Sequence, residues 1–266
     1  MQFNVITLFP QLIDSLWNSG LIGQALEKEI LRLQVVNPRD FTTDVHKTID
    51  DRPYGGGDGM VLKAEPFAKA LDSIENPGRI VALTAHGVPW SHEQSVQWAK
   101  EESTMTLICG RYAGFDQRFL EFRKMEQISV GDFIVSGGEW PACMMIDSIA
   151  RHLPGVLGHP DSSSLESFAS GLLEAPQFTR PSFWEEMEVP EPLISGNHAL
   201  IEKFRNSMAL LTTLKHRPDL LKSENLERSM MPAFNELKKL SFSQQSAMGL
   251  EYNELLKLWE KYEFRR

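Results

Sequence analysis

Through the first 150 residues, short runs of β-branched and bulky apolar residues alternate with stretches whose apolar positions recur every three or four residues. Phe3 to Leu8, Leu31 to Val36, Arg79 to Leu83, Met105 to Cys109 and Ile128 to Val135 predict strands. Gln11 to Trp17, Glu65 to Ile74, Gln94 to Glu101 and Phe115 to Phe122 predict helices. Strand and helix in alternation imply βαβ units, hence an α/β fold with a mainly parallel sheet covered on both faces. Gly- or Pro-rich punctuation stands where strands give way to helices: Asp51 to Met60, Ala85-His86-Gly87, Gly110 to Gly114 and Ser136-Gly137-Gly138. In such sheets ligands bind beyond the carboxyl ends of the strands, where these loops lie.

After Pro154 the texture changes. Gly155 to Ser170 is rich in Gly, Ser and Pro and reads as a flexible connection. Pro176 to Pro192 is irregular, and from Asn197 onward Ala199, Leu200, Phe204, Met208 and Leu211 keep helical spacing. Further helical runs are expected near Pro218 to Met230, Pro232 to Leu240 and Glu251 to Tyr262. The expected organisation is an α/β domain over 1–160, a linker over 161–175 and a small helical domain over 176–266.

Of the 266 residues, 42% are hydrophobic and 24% charged, a balance that argues against wholesale disorder. No apolar run approaches the roughly 18 residues that cross a bilayer. The N-terminus shows no basic leader or small-residue cleavage site. Cys109 and Cys143 sit within apolar runs, as buried thiols of a reducing cytosol would, so a cytoplasmic protein is expected. A net charge of −9 argues against a nucleic-acid partner until the chain is divided. Residues 1–200 hold 15 basic and 27 acidic side chains, whereas 201–266 hold 12 and 9, so the tail is mildly basic.

Several chemistries drop out on spacing. The 55–59 loop lacks the Gly-Lys-Ser/Thr ending of a P-loop, and Met60 stands where G-x-G-x-x-G needs its third glycine. The seven histidines form no i, i+4 pair and flank no CxxC, so no metal site is expected. Cys109 lies inside a strand-like run and reads as a structural thiol, not a nucleophile. What remains is a set of glycine loops whose backbone groups suit a small adenine-bearing ligand. One such loop taken alone reads first as a turn whose glycines supply positive φ, and four of them after strands bring the ligand reading close to level with that.

Longer strings are more specific. Pro38-Arg39-Asp40-Phe41-Thr42, Asp50 to Met60, Gly110-Arg111-Tyr112, Val130 to Glu139, Pro154 to His159, Gly171-Leu172-Leu173-Glu174, Thr179-Arg180-Pro181 and Ser195 to Ala199 follow in order along the chain. In them the chain resembles the bacterial TrmD-type tRNA (guanine-N1) methyltransferases of the SPOUT superfamily, over most of its length. The resemblance implies a trefoil-knotted, mainly parallel α/β sheet with a small C-terminal helical domain. It also implies a homodimer with shared active sites that uses S-adenosylmethionine to methylate N1 of the tRNA guanosine 3′ to the anticodon. Position by position, the donor would be held by Leu83, Thr84, Gly110, Val130, Gly131, Asp132, Phe133, Ile134, Val135, Gly137 and Gly138. Glu166 would take the N1 proton, and Arg151 would stabilise the charge that builds on O6. The RNA would be met by Asp50, Arg52, Gly59, Asp116, Arg180 and His198, with His46, Lys203, Arg205, Lys215, His216 and Arg217 as further contacts. A role for Mg2+ stays open.

The chain departs from the family pattern in three places. Glu166 stands for the usual Asp, Ala113 for the Glu that follows Gly-Arg-Tyr, and Gln177-Phe178 for His-Tyr. Asp116 is the nearby carboxylate able to replace the one missing at Ala113. All three bear on the target base, while the donor strings are intact. Two rival readings follow: a donor- or RNA-binding homologue with weakened catalysis, and an enzyme acting on a different RNA. Phe183 and Trp184 offer stacking surfaces for a base, but their size points first to core packing.

Overall fold

The computed structural model describes residues 1–17, 20–101, 103–159, 166–221 and 226–263. The chain divides into two compact units, Met1–Pro160 and Asp161–Arg266. No helix of the described residues is long and apolar enough to cross a membrane.

The first unit opens with β1 (Gln2–Ile6), α1 (Pro10–Trp17), α2 (Gly20–Glu27) and β2 (Arg32–Val36). The short β3 (Asp50–Asp51) and β4 (Val61–Leu62) follow, then α3 (Ala64–Asp72), β5 (Arg79–Pro89) and α4 (His92–Glu101). β6 (Thr104–Cys109), α5 (Gln117–Phe122), β7 (Glu126–Ser129) and α6 (Glu139–Ala150) complete it. One sheet runs β2-β1-β6-β5-β7 with every adjacent pair parallel, and β3 and β4 form a separate antiparallel pair.

A parallel sheet covered on both faces needs strands that are apolar on both sides. Here Phe3, Val5, Val81, Leu83, Met105 and Leu107 face α1, α4 and α6, whose Ile13, Trp98, Met145 and Ile146 share their core. Ile6, Ala82 and Ile108 face the other way onto Phe67 and Leu71 of α3 and Phe119 of α5.

Two expected boundaries are corrected. β7 stops at Ser129 instead of reaching Val135, because the Ser129 hydroxyl donates to Gly131 O at 3.2 Å and Gly131 takes φ 155°. Val130 to Val135 is therefore loop. β5 does not end at Leu83 but runs through Ala85-His86-Gly87 to Pro89, its register against β7 shifting between Leu83 and Val88. At Gly87 a Cβ would run into the backbone of Gln127 and Ile128, so this close approach requires glycine. α2 and α6 were not expected from periodicity. α6 is buried on most sides, and a helix apolar nearly all round shows little 3.6-residue period.

The second unit holds a hairpin of β8 (Phe183–Trp184) and β9 (Met187–Glu188), the short α7 (Glu191–Ile194) and the long α8 (His198–His216). α9 (Leu226–Lys238), α10 (Phe242–Met248) and α11 (Tyr252–Glu263) follow. Asn197 caps α8 by accepting the Leu200 N–H at 3.2 Å. Phe204, Met208 and Leu211 of α8 then pack with Met230, Ala233 and Phe234 of α9 and with Leu255 and Trp259 of α11. α9 is one helix through Pro232, not the two expected on either side of it, since Met230, Ala233, Phe234 and Leu237 anchor both halves in one core. Leu172 and Ala175 pack on that core, so the end of the expected linker is built into this unit; 161–165 lie outside the described residues. Phe183 and Trp184 are 60% and 63% exposed, against the core role expected of them, because their two-residue strands pair only with each other.

Candidate active site

At the carboxyl ends of β6 and β7, beside the middle of β5, lies a cavity of about 410 Å3. Leu83, Thr84, Gly110, Val130, Gly131, Phe133, Ile134, Val135, Gly137 and Gly138 line it, while Asp132 does not. The cavity exists because backbone approaches backbone where it is built. Gly138 N–H donates to Gly110 O at 2.8 Å, and a Cβ on Gly138 would sit 2.8 Å from Cys109 Cα. A Cβ on Gly110 would press against the Phe115 ring at 2.9 Å. These glycines are needed for close approach and not for positive φ, since neither Gly110 nor Gly138 lies in the left-handed region.

Thr84 supplies a hydroxyl oxygen that is buried and has no hydrogen-bond partner among the described residues. Val130, Phe133 and Val135 contribute an apolar wall, with Phe133 and Val135 themselves exposed. His86, Tyr112 and Gln117 also line the cavity and were not expected to. The Ala-His-Gly string pointed to a turn beyond the strand, whereas the continuing β5 carries His86 along the cavity edge.

Beneath the wall, Glu139 at the first position of α6 is fully buried. Its carboxylate accepts from the Thr7 hydroxyl at 2.7 Å and from Arg111 Nε and Nη2 at 3.1 and 3.0 Å. The Arg111 guanidinium lies 4.2 Å over the Phe9 ring. Cys109 is buried and its thiol is held well above the ordinary range, first by burial and then by the charge on Glu139. Cys143 is pushed up to about 11, chiefly by burial. Burial thus disfavours the thiolate, the form that acts as a nucleophile, at both positions.

The Gly-rich 55–60 loop meets the 110–114 loop: Ala113 N–H donates to Met60 O at 2.9 Å, and Gly59 lies beside Ala113. Asp50 pairs with Leu62 across β3 and β4, and Arg52 follows on the surface. Asp116 caps α5 and is gripped by Arg118, whose Nη2 and Nε donate at 2.6 and 3.0 Å. The Arg118 hydrogen bond holds its carboxyl below the usual range. Asp116 is thus already occupied, which counts against its replacing the carboxylate missing at Ala113.

Arg151 is the C-cap of α6 in the first unit, and Glu166 lies half-buried in a turn that opens the described part of the second. Arg180 is exposed, and His198 stands at the first position of α8. Three of the seven expected contacts in this unit form ion pairs within it. Lys203 pairs with Glu236 at 2.8 Å, Lys215 with Glu254 at 2.8 Å and Arg217 with Asp219 at 2.7 Å.

Comparison with known proteins places these features in a family. The profile described as tRNA (Guanine-1)-methyltransferase TrmD matches residues 1–223. A tRNA (guanine-N(1)-)-methyltransferase of Ralstonia nicotianae is 46% identical over 228 residues, covering 84% of this chain and 87% of the relative. One from Lactobacillus helveticus is 45% identical over 238 residues, covering 90% and 98%. One from Nitratidesulfovibrio vulgaris is 44% identical over 231 residues, covering 87% of this chain but 54% of that longer protein, so the chain spans about half its length. The chain belongs to the TrmD family of tRNA (guanine-1)-methyltransferases.

Proposed function

We propose that the chain transfers a methyl group from S-adenosylmethionine to N1 of a tRNA guanosine, the one 3′ to the anticodon. The observation that carries this reading is the glycine-built cavity with its orphaned Thr84 hydroxyl and apolar wall. An adenosine fits that chemistry, since backbone groups read a purine edge while the wall takes the ring face. When bound, the donor supplies a methyl group activated on a positively charged sulfur.

The chain's residues do the rest. Neutral guanine N1 bears a proton, so a base must remove it while the new N–C bond forms. Glu166 accepts that proton, and the electron pair it leaves behind raises the charge on O6, which Arg151 stabilises. Leu83, Thr84, Gly110 and the 130–138 loop hold the donor, and Asp50, Arg52, Gly59, Arg180 and His198 position the RNA. Membership of the family supports a trefoil knot in the first unit. Trp140 and Met144 expose apolar surface on α6 beside a groove lined by Leu21, Ile22 and Cys143, which supports a homodimer through that face. One observation favours a weaker enzyme: no carboxylate stands at Ala113, and Asp116 is tied to Arg118.

Incubating the protein with labelled donor and a tRNA transcript tests both. Label in N1-methylguanosine supports transfer. Donor binding without label supports the weakened homologue, and no donor binding removes the cavity's assignment.

A further inference from the structure

We infer that Glu139 sets the charge of the donor cavity and so its preference for the cationic donor over the neutral product of transfer. This rests on the reading of the cavity as the donor site. Among the described residues that line it, His86 and Arg111 carry basic side chains and none carries a carboxylate. Arg111 is largely buried, and its Nε and the Glu139 Oε2 both pack directly behind Gly137, itself part of the cavity wall. A guanidinium placed there acts across a low-dielectric wall on whatever occupies the site.

The donor's sulfur is positively charged, and after methyl transfer it is a neutral thioether; the rest of the molecule is unchanged. A bare guanidinium behind the wall would therefore oppose the donor and leave the product nearly untouched. At an effective dielectric near 20, two like charges about 10 Å apart oppose each other by roughly tenfold in affinity, which sets the scale of the effect. Glu139 removes it. Its buried carboxylate takes two N–H donors from Arg111 and one O–H from Thr7, so the guanidinium is neutralised where it lies, behind Gly137. The pair also ties the end of β1, the 110–114 loop and the start of α6 together, but tying alone would not distinguish donor from product.

That difference supplies the test. S-adenosylmethionine and S-adenosylhomocysteine are titrated calorimetrically into the wild type, Glu139→Gln, Arg111→Met and the double variant Arg111→Met/Glu139→Gln. Because the quantity read is the ratio of two affinities within one protein, loss of stability in a variant cancels. Glu139→Gln is expected to shift the ratio about tenfold towards the product. Arg111→Met is expected to shift it towards the donor, and the double variant to restore the wild-type ratio. Should Glu139→Gln not fold, the opposite shift in Arg111→Met carries the test. Equal weakening of both ligands in every variant would overturn the inference and leave the pair as a structural tie. A wild type that binds neither ligand would instead overturn the donor-site reading on which it rests.

Discussion

The two sides of the proposed site are built from different material. On the proposed donor side, the cavity is shaped by backbone placed by glycines: Gly110 against Phe115 and Gly138 against Cys109. On the target side, recognition rests on side chains, several of which already have partners, as Asp116 has Arg118 and Lys203 has Glu236. Backbone geometry tolerates no substitution that adds a Cβ, whereas a side-chain contact is lost or supplied one residue at a time. Of the departures from the family pattern, Ala113 lines the cavity, whereas Glu166 and Gln177 lie in the second unit.

The contrast breaks most visibly at the base. Glu166→Gln is expected to lower kcat by about 10²- to 10⁴-fold while leaving the donor Kd within about twofold of wild type, as read by single-turnover kinetics and calorimetry. Unchanged kcat would take Glu166 out of the chemistry. Gly138→Ala tests the donor side: its Cβ would lie 2.8 Å from Cys109 Cα and 2.9 Å from Gly110 N. Donor affinity is expected to fall about 100-fold, with stability lower by about 1–3 kcal/mol in denaturant unfolding. A variant that binds donor normally would show that the crossing is not what shapes the cavity.

Smaller effects sharpen the comparison. Thr84→Val removes an unpartnered buried hydroxyl, so donor affinity is expected to fall about tenfold without loss of thermal stability. Arg52 is exposed and has no ion pair among the described residues, while Lys203 pairs with Glu236. Arg52→Ala should therefore reduce the salt slope of tRNA binding by about one, and Lys203→Ala should leave it unchanged. Lys203 and Lys239 hold the Glu236 carboxyl below the ordinary glutamate range. Its contribution to stability is complete above that range and is lost as pH falls through the depressed value. Glu236→Gln is expected to flatten the acid limb of a stability–pH profile, most clearly at low salt.

How much of this was legible beforehand divides along the same line. The parallel sheet was readable because Phe3 and Val5, or Met105 and Leu107, alternate with residues buried on the opposite face, so each strand reads as a continuous apolar run. The donor loops were readable because their glycines stand in strings. Val130 to Val135 misled, since an apolar wall around a ligand and a buried strand have the same composition, and only the turn at Gly131 separates them. α6 was invisible for a related reason, being apolar on nearly every side. The Arg111–Glu139 pair joins residues 28 apart through a contact that no local period encodes. Ion pairs such as Lys215 with Glu254 are equally long-range and equally invisible to any local period.

The central claim is methyl transfer to one nitrogen of one nucleotide. It is tested most directly by treating two tRNA transcripts, one with guanosine and one with adenosine 3′ to the anticodon, and mapping modified nucleosides by digestion and mass spectrometry. The account predicts N1-methylguanosine at that position in the first transcript and no methylation of the second. Methylation of both, or of neither while the protein binds the donor, would contradict it.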